Sequence, residues 1–135
     1  MHYRRYGVAH YLEQVKAAGQ IDCGAIKVPL AYRFEVDPTS LPGVTNCVNT
    51  ALQRRRPFFL SVEGPGVDSY VATGLVGDDA GNIRRFWYDS APCGSPHCRE
   101  GFRVWSCPPV DAGASVDPNA YCPRPANDAR GRTRG

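Results

Sequence analysis

Long apolar runs are missing from this chain of 135 residues. No stretch of about 18 apolar residues occurs, which excludes a membrane-spanning helix. The charged start, Met1-His2-Tyr3-Arg4-Arg5-Tyr6-Gly7, is followed by no apolar segment of the secretory type. Lysine is scarce: Lys16 and Lys27 stand alone among 16 basic residues, and the net charge is only +3. Arginine in its place reads as the codon bias of a GC-rich bacterial genome. Basic residues are not gathered on one predicted face, so no nucleic-acid partner is expected. Histidine is limited to His2, His10 and His97. Gly-x-Ser-x-Gly, His-Glu-x-x-His and phosphate-loop patterns are absent, which removes the common hydrolase and nucleotide-binding signatures. No cofactor is expected.

The chain does contain six cysteines, 14 glycines and 12 prolines. Six cysteines in a short, turn-rich chain point to disulfides, and disulfides persist in oxidising compartments. The sequence therefore predicts an extracytoplasmic setting: periplasm, cell surface or medium. An export signal or lipid anchor, removed from the mature chain, is expected to accompany it. A metal site built from Cys93, His97, Cys98, Cys107 and Cys122 is the rival reading. The gaps between these residues are too wide and unequal for paired Cys-x-x-Cys knuckles, so no metal is expected. Several pairings are open. Cys23–Cys47, Cys93–Cys98 and Cys107–Cys122 are the expected ones: the first ties a strand to a helix, the second closes a loop bent by Pro96, and the third anchors the tail.

Periodicity supplies the elements. Val8, Tyr11, Leu12 and Val15 mark an amphipathic helix over Val8–Ala18, ending at Gly19. Ile26, Val28, Leu30, Tyr32, Phe34 and Val36 alternate as a strand that bends or lies at an edge because of Pro29. After a loop at Asp37–Gly43, Thr45 caps a helix over Asn46–Arg56 with an apolar stripe of Cys47, Val48, Ala51 and Leu52. Arg54, Arg55 and Arg56 close it and favour the helix dipole; binding an acidic partner is the rival role. Phe58, Leu60 and Val62, then Tyr70–Val76, then Ile83–Tyr88 form a meander, with turns at Gly64-Pro65-Gly66 and Asp78–Asn82. Phe102–Ser106 is a further strand. The fold class is α+β: an antiparallel sheet of about four strands, a helix on one face, a second N-terminal helix, and a disulfide-stapled, loop-rich C-terminal part. One domain is expected over residues 1–126, with a disordered tail over 127–135.

Strand alternation puts Phe86 and Tyr88 on one face and Trp87 on the other. One helix with a narrow stripe covers only one face. Phe86, Trp87 and Tyr88, with Arg84 and Arg85 in the same strand, are therefore the candidate binding residues for another protein, since aromatic and arginine side chains dominate interface energetics. The bland reading is that the first helix or the Phe102–Ser106 segment covers the second face and makes these aromatics core. Two Asp-Ser pairs, Asp68-Ser69 and Asp89-Ser90, sit at strand ends, where Asx-turns are common. His10 and Glu13 share a helix surface. The functional expectation is a non-enzymatic binding or interaction domain, of which an inhibitor or immunity-type protein of the bacterial envelope is one version. The alternative is a small secreted hydrolase using Asp68, Asp89 and a histidine. If the six cysteines are all paired, mass spectrometry of the native chain will show six hydrogens fewer than the reduced chain. Free thiols with bound zinc would overturn the compartment argument.

Overall fold

The computed structural model describes residues 6–16, 20–29, 38–95, 97–110 and 115–125, the side chain of Asn119 excepted. The elements are α1 (Val8–Leu12), β1 (Ile21–Lys27), α2 (Leu41–Gln53), β2 (Phe58–Pro65), β3 (Tyr70–Gly77), β4 (Ile83–Asp89), β5 (Gly101–Ser106) and α3 (Pro118–Tyr121). The strands form one sheet of five in the order β1-β2-β3-β4-β5. The class is α+β, as the patterns indicate.

The sheet differs from expectation at its first strand. The β2–β5 meander is antiparallel throughout, but β1 pairs parallel to β2, with Ile21 opposite Phe58 and Lys27 opposite Glu63. The cause is α2. A helix that crosses between two strands returns the chain to the end it started from, so the strands run the same way. The ladder also begins five residues earlier than the alternating run, at Ile21 rather than Ile26. The expected strand residues Leu30–Val36 lie outside the described residues, as do Gly19, Pro96 and the tail.

Helix boundaries shift for local reasons. α2 starts at Leu41 with Ser40 in the cap position, not at Asn46 behind Thr45. Leu41-Pro42-Gly43 is its first turn rather than a loop, since proline there gives up an N–H that has no helical partner anyway. Its end is a Schellman closure: Arg55 takes a left-handed φ of 52°, Arg55 N–H donates to Leu52 O, and Arg56 N–H donates to Ala51 O at 2.9 Å. The three arginines thus lie just beyond the helix and turn the chain. α1 is shorter than the pattern suggests. After Leu12 the bonds tighten, with Gln14 N–H donating to Tyr11 O and Val15 N–H to Leu12 O. So short a helix has little stability of its own.

Register assigns the core. On one face lie Phe58, Leu60 and Val62 of β2, Leu75 of β3, and Ile83 and Arg85 of β4. There α2 contributes Val44, Val48 and Ala51, and the C-terminal segment contributes Val116 and Cys122. Leu52, on the expected stripe, is only partly buried against this cluster. On the opposite face, Leu12 of α1 packs with Phe59, Ala72, Val76, Phe86 and Tyr88. Phe59 and Phe86 stack with centroids 5.7 Å apart. Gly74 lies beneath them, where a Cβ would come within 2.7 Å of the Phe86 ring and strike the Leu60 carbonyl. A side chain here would cost the stacked pair its place.

Three disulfides join Cys23–Cys47, Cys93–Cys98 and Cys107–Cys122, and no described cysteine is free. Cysteines committed in this way supply no metal ligands. On the chain-entropy account the loops spanning 24 and 15 residues contribute about 3 kcal/mol each, and the loop of 5 about 2 kcal/mol.

The Glu100 carboxylate fastens α1 to the sheet. It accepts from Tyr6 N–H (2.7 Å), Gly7 N–H (2.8 Å), Tyr11 Oη (3.3 Å) and Tyr88 Oη (2.5 Å). Gly7, the N-cap residue, has no side chain to serve the helix start, so Glu100 receives donors there from across the chain. Burial alone raises the Glu100 pKa, but these hydrogen bonds outweigh it and hold the carboxyl below its usual range.

Two predictions follow from this packing. Leu75→Ala, at a fully buried site, should cost about 2–5 kcal/mol in urea unfolding, while Val67→Ala at an exposed turn should stay within about 0.5 kcal/mol. Equal effects would mean that the core face is misassigned. Because the Glu100 pKa is depressed by folding, its contribution is complete at neutral pH. It is lost as the pH falls from the ordinary carboxyl value, about 4.3, through the lower folded value. Glu100→Gln should lower stability at pH 7 by on the order of 1 kcal/mol and flatten the loss on acidification. An unchanged acid slope would show that Glu100 does not hold α1.

Candidate functional site

The end of the sheet where β2 turns into β3 carries a groove. Pro65 and Tyr70 are the last paired residues, and Gly66 N–H donates to Ser69 O at 2.8 Å across the turn. Asp68 takes a left-handed φ of 56° there, which aspartate tolerates better than most residues. Val67, at the tip, is 70% exposed. Across the groove, β4 ends at Asp89, whose Oδ1 accepts from Ala91 N–H at 2.9 Å in an Asx-turn. Gly94 N–H then donates to Ala91 O at 2.8 Å, so residues 91–94 form the second wall. Ser90 ties the walls together: its Oγ accepts from Tyr70 N–H at 2.8 Å, and its N–H donates to Tyr70 O.

Val71, Trp87 and Asp89 project from one face of β3 and β4 into this space. The groove encloses about 460 Å³, within the range of small-ligand and short-peptide sites. Trp87 is half-buried, with the Arg124 guanidinium 5.3 Å above its ring. Val71 packs with Val28 and Val62, and Trp87 packs against that cluster. The floor is therefore apolar and fixed, and one carboxylate, that of Asp89, lines the wall.

The candidate residues of β4 are not brought together. Phe86 and Tyr88 are 0% and 2% exposed beneath α1. They are core, because the first helix covers the second face, as the bland reading had it. Arg85 is also buried, on the other face under the C-terminal segment. Its Nε donates to Thr73 Oγ1 at 2.9 Å, and one terminal nitrogen donates to the carbonyls of Pro118 and Cys122 at 3.2 and 3.0 Å. Burial pushes its pKa down to about 10, so it is still charged at neutral pH. Arg84 is exposed but lines a separate cleft of about 330 Å³ at the opposite end of the sheet, beside Asp78 and Asn82. Only Trp87 reaches the groove. The aromatic surface expected of Phe86, Trp87 and Tyr88 is thereby corrected to a single ring.

The residues that alternation does not reveal are Val67, Ser69, Pro92 and Gly94. Their signal is turn chemistry, Gly-Pro-Gly before β3 and Asp-Ser-Ala-Pro after β4. The two Asp-Ser pairs do meet at one end of the sheet. Asp89 lines the groove, and Asp68 lies between the lining residues Val67 and Ser69. The histidines do not complete a catalytic set there. His10 stacks on Tyr6 at 4.4 Å, on the α1 side of the sheet and away from Asp89. His97 is an exposed member of the 93–98 loop, its N–H donating to Ser95 Oγ at 3.1 Å. His2 lies outside the described residues. Among the described residues, no three His, Cys, Asp or Glu side chains gather in a metal-binding group, and no helix is long and apolar enough to cross a membrane.

Comparison with family models, curated proteins and solved structures returns no match.

Proposed function

We propose that this chain is a non-enzymatic binding domain that works in an extracytoplasmic compartment, and that the Trp87 groove is its working surface. The occupant is an extended segment of another protein that carries an apolar side chain beside a basic one. The observation that carries this reading is the groove's composition. Trp87 and Val71 form an apolar floor, Val67 is held in solvent at the rim, and Asp89 supplies a carboxylate in the wall, with Asp68 in the turn beside Val67. A tryptophan in a concave, partly desolvated site is the usual anchor of a protein interface, and an exposed apolar side chain beside it extends the same patch. The disulfides support the compartment, because they persist where the surroundings are oxidising. An inhibitor or immunity-type protein of the bacterial envelope is a specific form of this function.

The hydrolase reading has one observation in its favour: Asp89 lines the groove and Asp68 lies in the turn between two lining residues, Val67 and Ser69. Neither carboxylate has a described histidine bonded to it. In the absence of a proton-transfer partner, the two serve better as charges than as acid and base.

Selection from a displayed library of short peptides should return ligands with apolar-basic pairs. Val67→Ser and Asp89→Asn should each weaken their binding by about tenfold or more, roughly 1.4 kcal/mol. Asn at 89 can still accept from Ala91 N–H, so the wall is kept while the charge is lost. Arg84→Ala, in the other cleft, should leave affinity unchanged. Ligands indifferent to both groove substitutions would refute the proposal. Turnover of ester, glycoside or peptide substrates that is abolished by Asp89→Asn would replace it with the hydrolase.

A further inference from the structure

We propose that the Cys93–Cys98 disulfide is a thiol–disulfide exchange site, distinct in role from the two disulfides that brace the core. The inference stands apart from the groove reading. Cys23, Cys107 and Cys122 pack in or against the α2-side core, where breaking a bridge would loosen β1 or the C-terminal segment. Cys93 is exposed, and its partner is five residues away in the same surface loop. Opening this bridge releases no core element.

The loop also provides for the products of opening. Cys93 N–H donates to Cys98 Sγ at 3.2 Å. A backbone donor aimed at sulfur stabilises that sulfur as a thiolate. The Ser95 carbonyl lies 3.0 Å from Cys98 Sγ and 3.7 Å from Cys93 Sγ, so a protonated thiol has an acceptor at hand. The two sulfurs are unequal in access: Cys93 is exposed and Cys98 is half-buried, so an external thiolate reaches Cys93 first.

An external thiolate, from a low-mass thiol or a protein cysteine, attacks Cys93 Sγ in line with the S–S bond. The new bond forms at Cys93, and the old bonding pair leaves on Cys98 Sγ. A second thiol then attacks the mixed disulfide. The external pair is released as a disulfide, and Cys93 and Cys98 are left as a dithiol. Two electrons pass from the external thiols to the loop, and the reverse sequence oxidises an external dithiol.

The test uses the full native chain in graded mixtures of reduced and oxidised glutathione, quenched with acid, alkylated and mapped by peptide mass. A parallel series with reduced thioredoxin separates a low-mass thiol from a protein dithiol as the better attacking group. Cys93–Cys98 should open at a reducing ratio about tenfold or more below that needed for the other two bridges, a gap of about 30 mV or more. Opening together with them, or after Cys107–Cys122, in both series would overturn the proposal. Variants test the point of attack. With oxidised glutathione, Cys98→Ser, which keeps the exposed Cys93, should form the mixed disulfide several-fold faster than Cys93→Ser, which keeps Cys98. Equal rates, or a faster Cys93→Ser, would refute Cys93 as the attacked sulfur. The glutathione series on the unaltered chain stands whether or not the variants fold.

Discussion

A single guanidinium organises the C-terminal third of this protein. Arg85 projects from the middle of β4 into a core otherwise filled by Leu60, Leu75 and Val116. A buried cation must find acceptors, or the site fails. Arg85 finds them in Thr73 Oγ1 and in the carbonyls of Pro118 and Cys122. Thr73 Oγ1 in turn donates to Phe86 O at 2.6 Å. Trp105 lies beneath the guanidinium at 5.2 Å and sends its own Nε1–H to the Cys122 carbonyl. A segment with little helix of its own therefore becomes a layer of the fold. The Cys107–Cys122 bridge holds it at one end, and Val116 fills the space below. The same placement sets Arg124 over Trp87, so what packs on that ring depends on a charge buried in the core.

The opposite face is fastened by the complementary device. Arg85 gathers backbone carbonyls from the chain's C-terminal part, and Glu100 gathers backbone N–H groups from its N-terminal part. Each peripheral layer is a short element with weak intrinsic structure. Each is held by apolar packing together with one ionised group whose bonds specify where the backbone lies. A third polar set, Lys27, Glu63, Tyr70 and Ser61, joins β1, β2 and β3 beside the α1 layer. Lys27 donates to Glu63 and to Tyr70 at 3.0 and 3.1 Å, and Ser61 donates to Glu63 at 3.0 Å. Its titration behaviour is that of a structural ion pair: burial raises the Glu63 pKa, but the hydrogen bonds of Tyr70, Lys27 and Ser61 bring it below the usual range.

The meander was legible because β2, β3 and β4 alternate strongly and are separated by turn residues. The three disulfides are the pairs expected, although six cysteines allow fifteen pairings and nothing local in the sequence decides among them. The parallel pairing of β1 was not legible, because direction is set by the crossover and leaves no local mark. Leu41-Pro42-Gly43 read as a loop, since proline and glycine mark loops and helix starts alike. The fate of the aromatics turned on coverage. Phe86 and Tyr88 look the same in sequence whether a helix lies over them or not, and α1 is too short to announce its reach. Arg85 gave no sign of burial, because its partners are main-chain carbonyls that carry no residue-specific signal. Of the site, Trp87 and Asp89 could be singled out from strand position. The groove itself could not, since it arises from two turns distant in sequence.

The parallel junction has a consequence for the order of assembly. The β2–β5 meander is built from neighbours in sequence and can zip by hairpin closure, whereas β1 must wait for α2 to span the sheet. Until it arrives, β2 presents an open edge bearing Phe58, Leu60 and Val62, the kind of template on which one unfinished chain captures another. The Cys23–Cys47 bridge shortens that interval. It joins β1 to α2 at a Cα separation of 5.6 Å, so strand and helix arrive as one unit once oxidised. Early oxidation at this pair would therefore act as a chaperone in cis, making the yield of the protein depend on the oxidising power of its surroundings while it folds as well as afterwards.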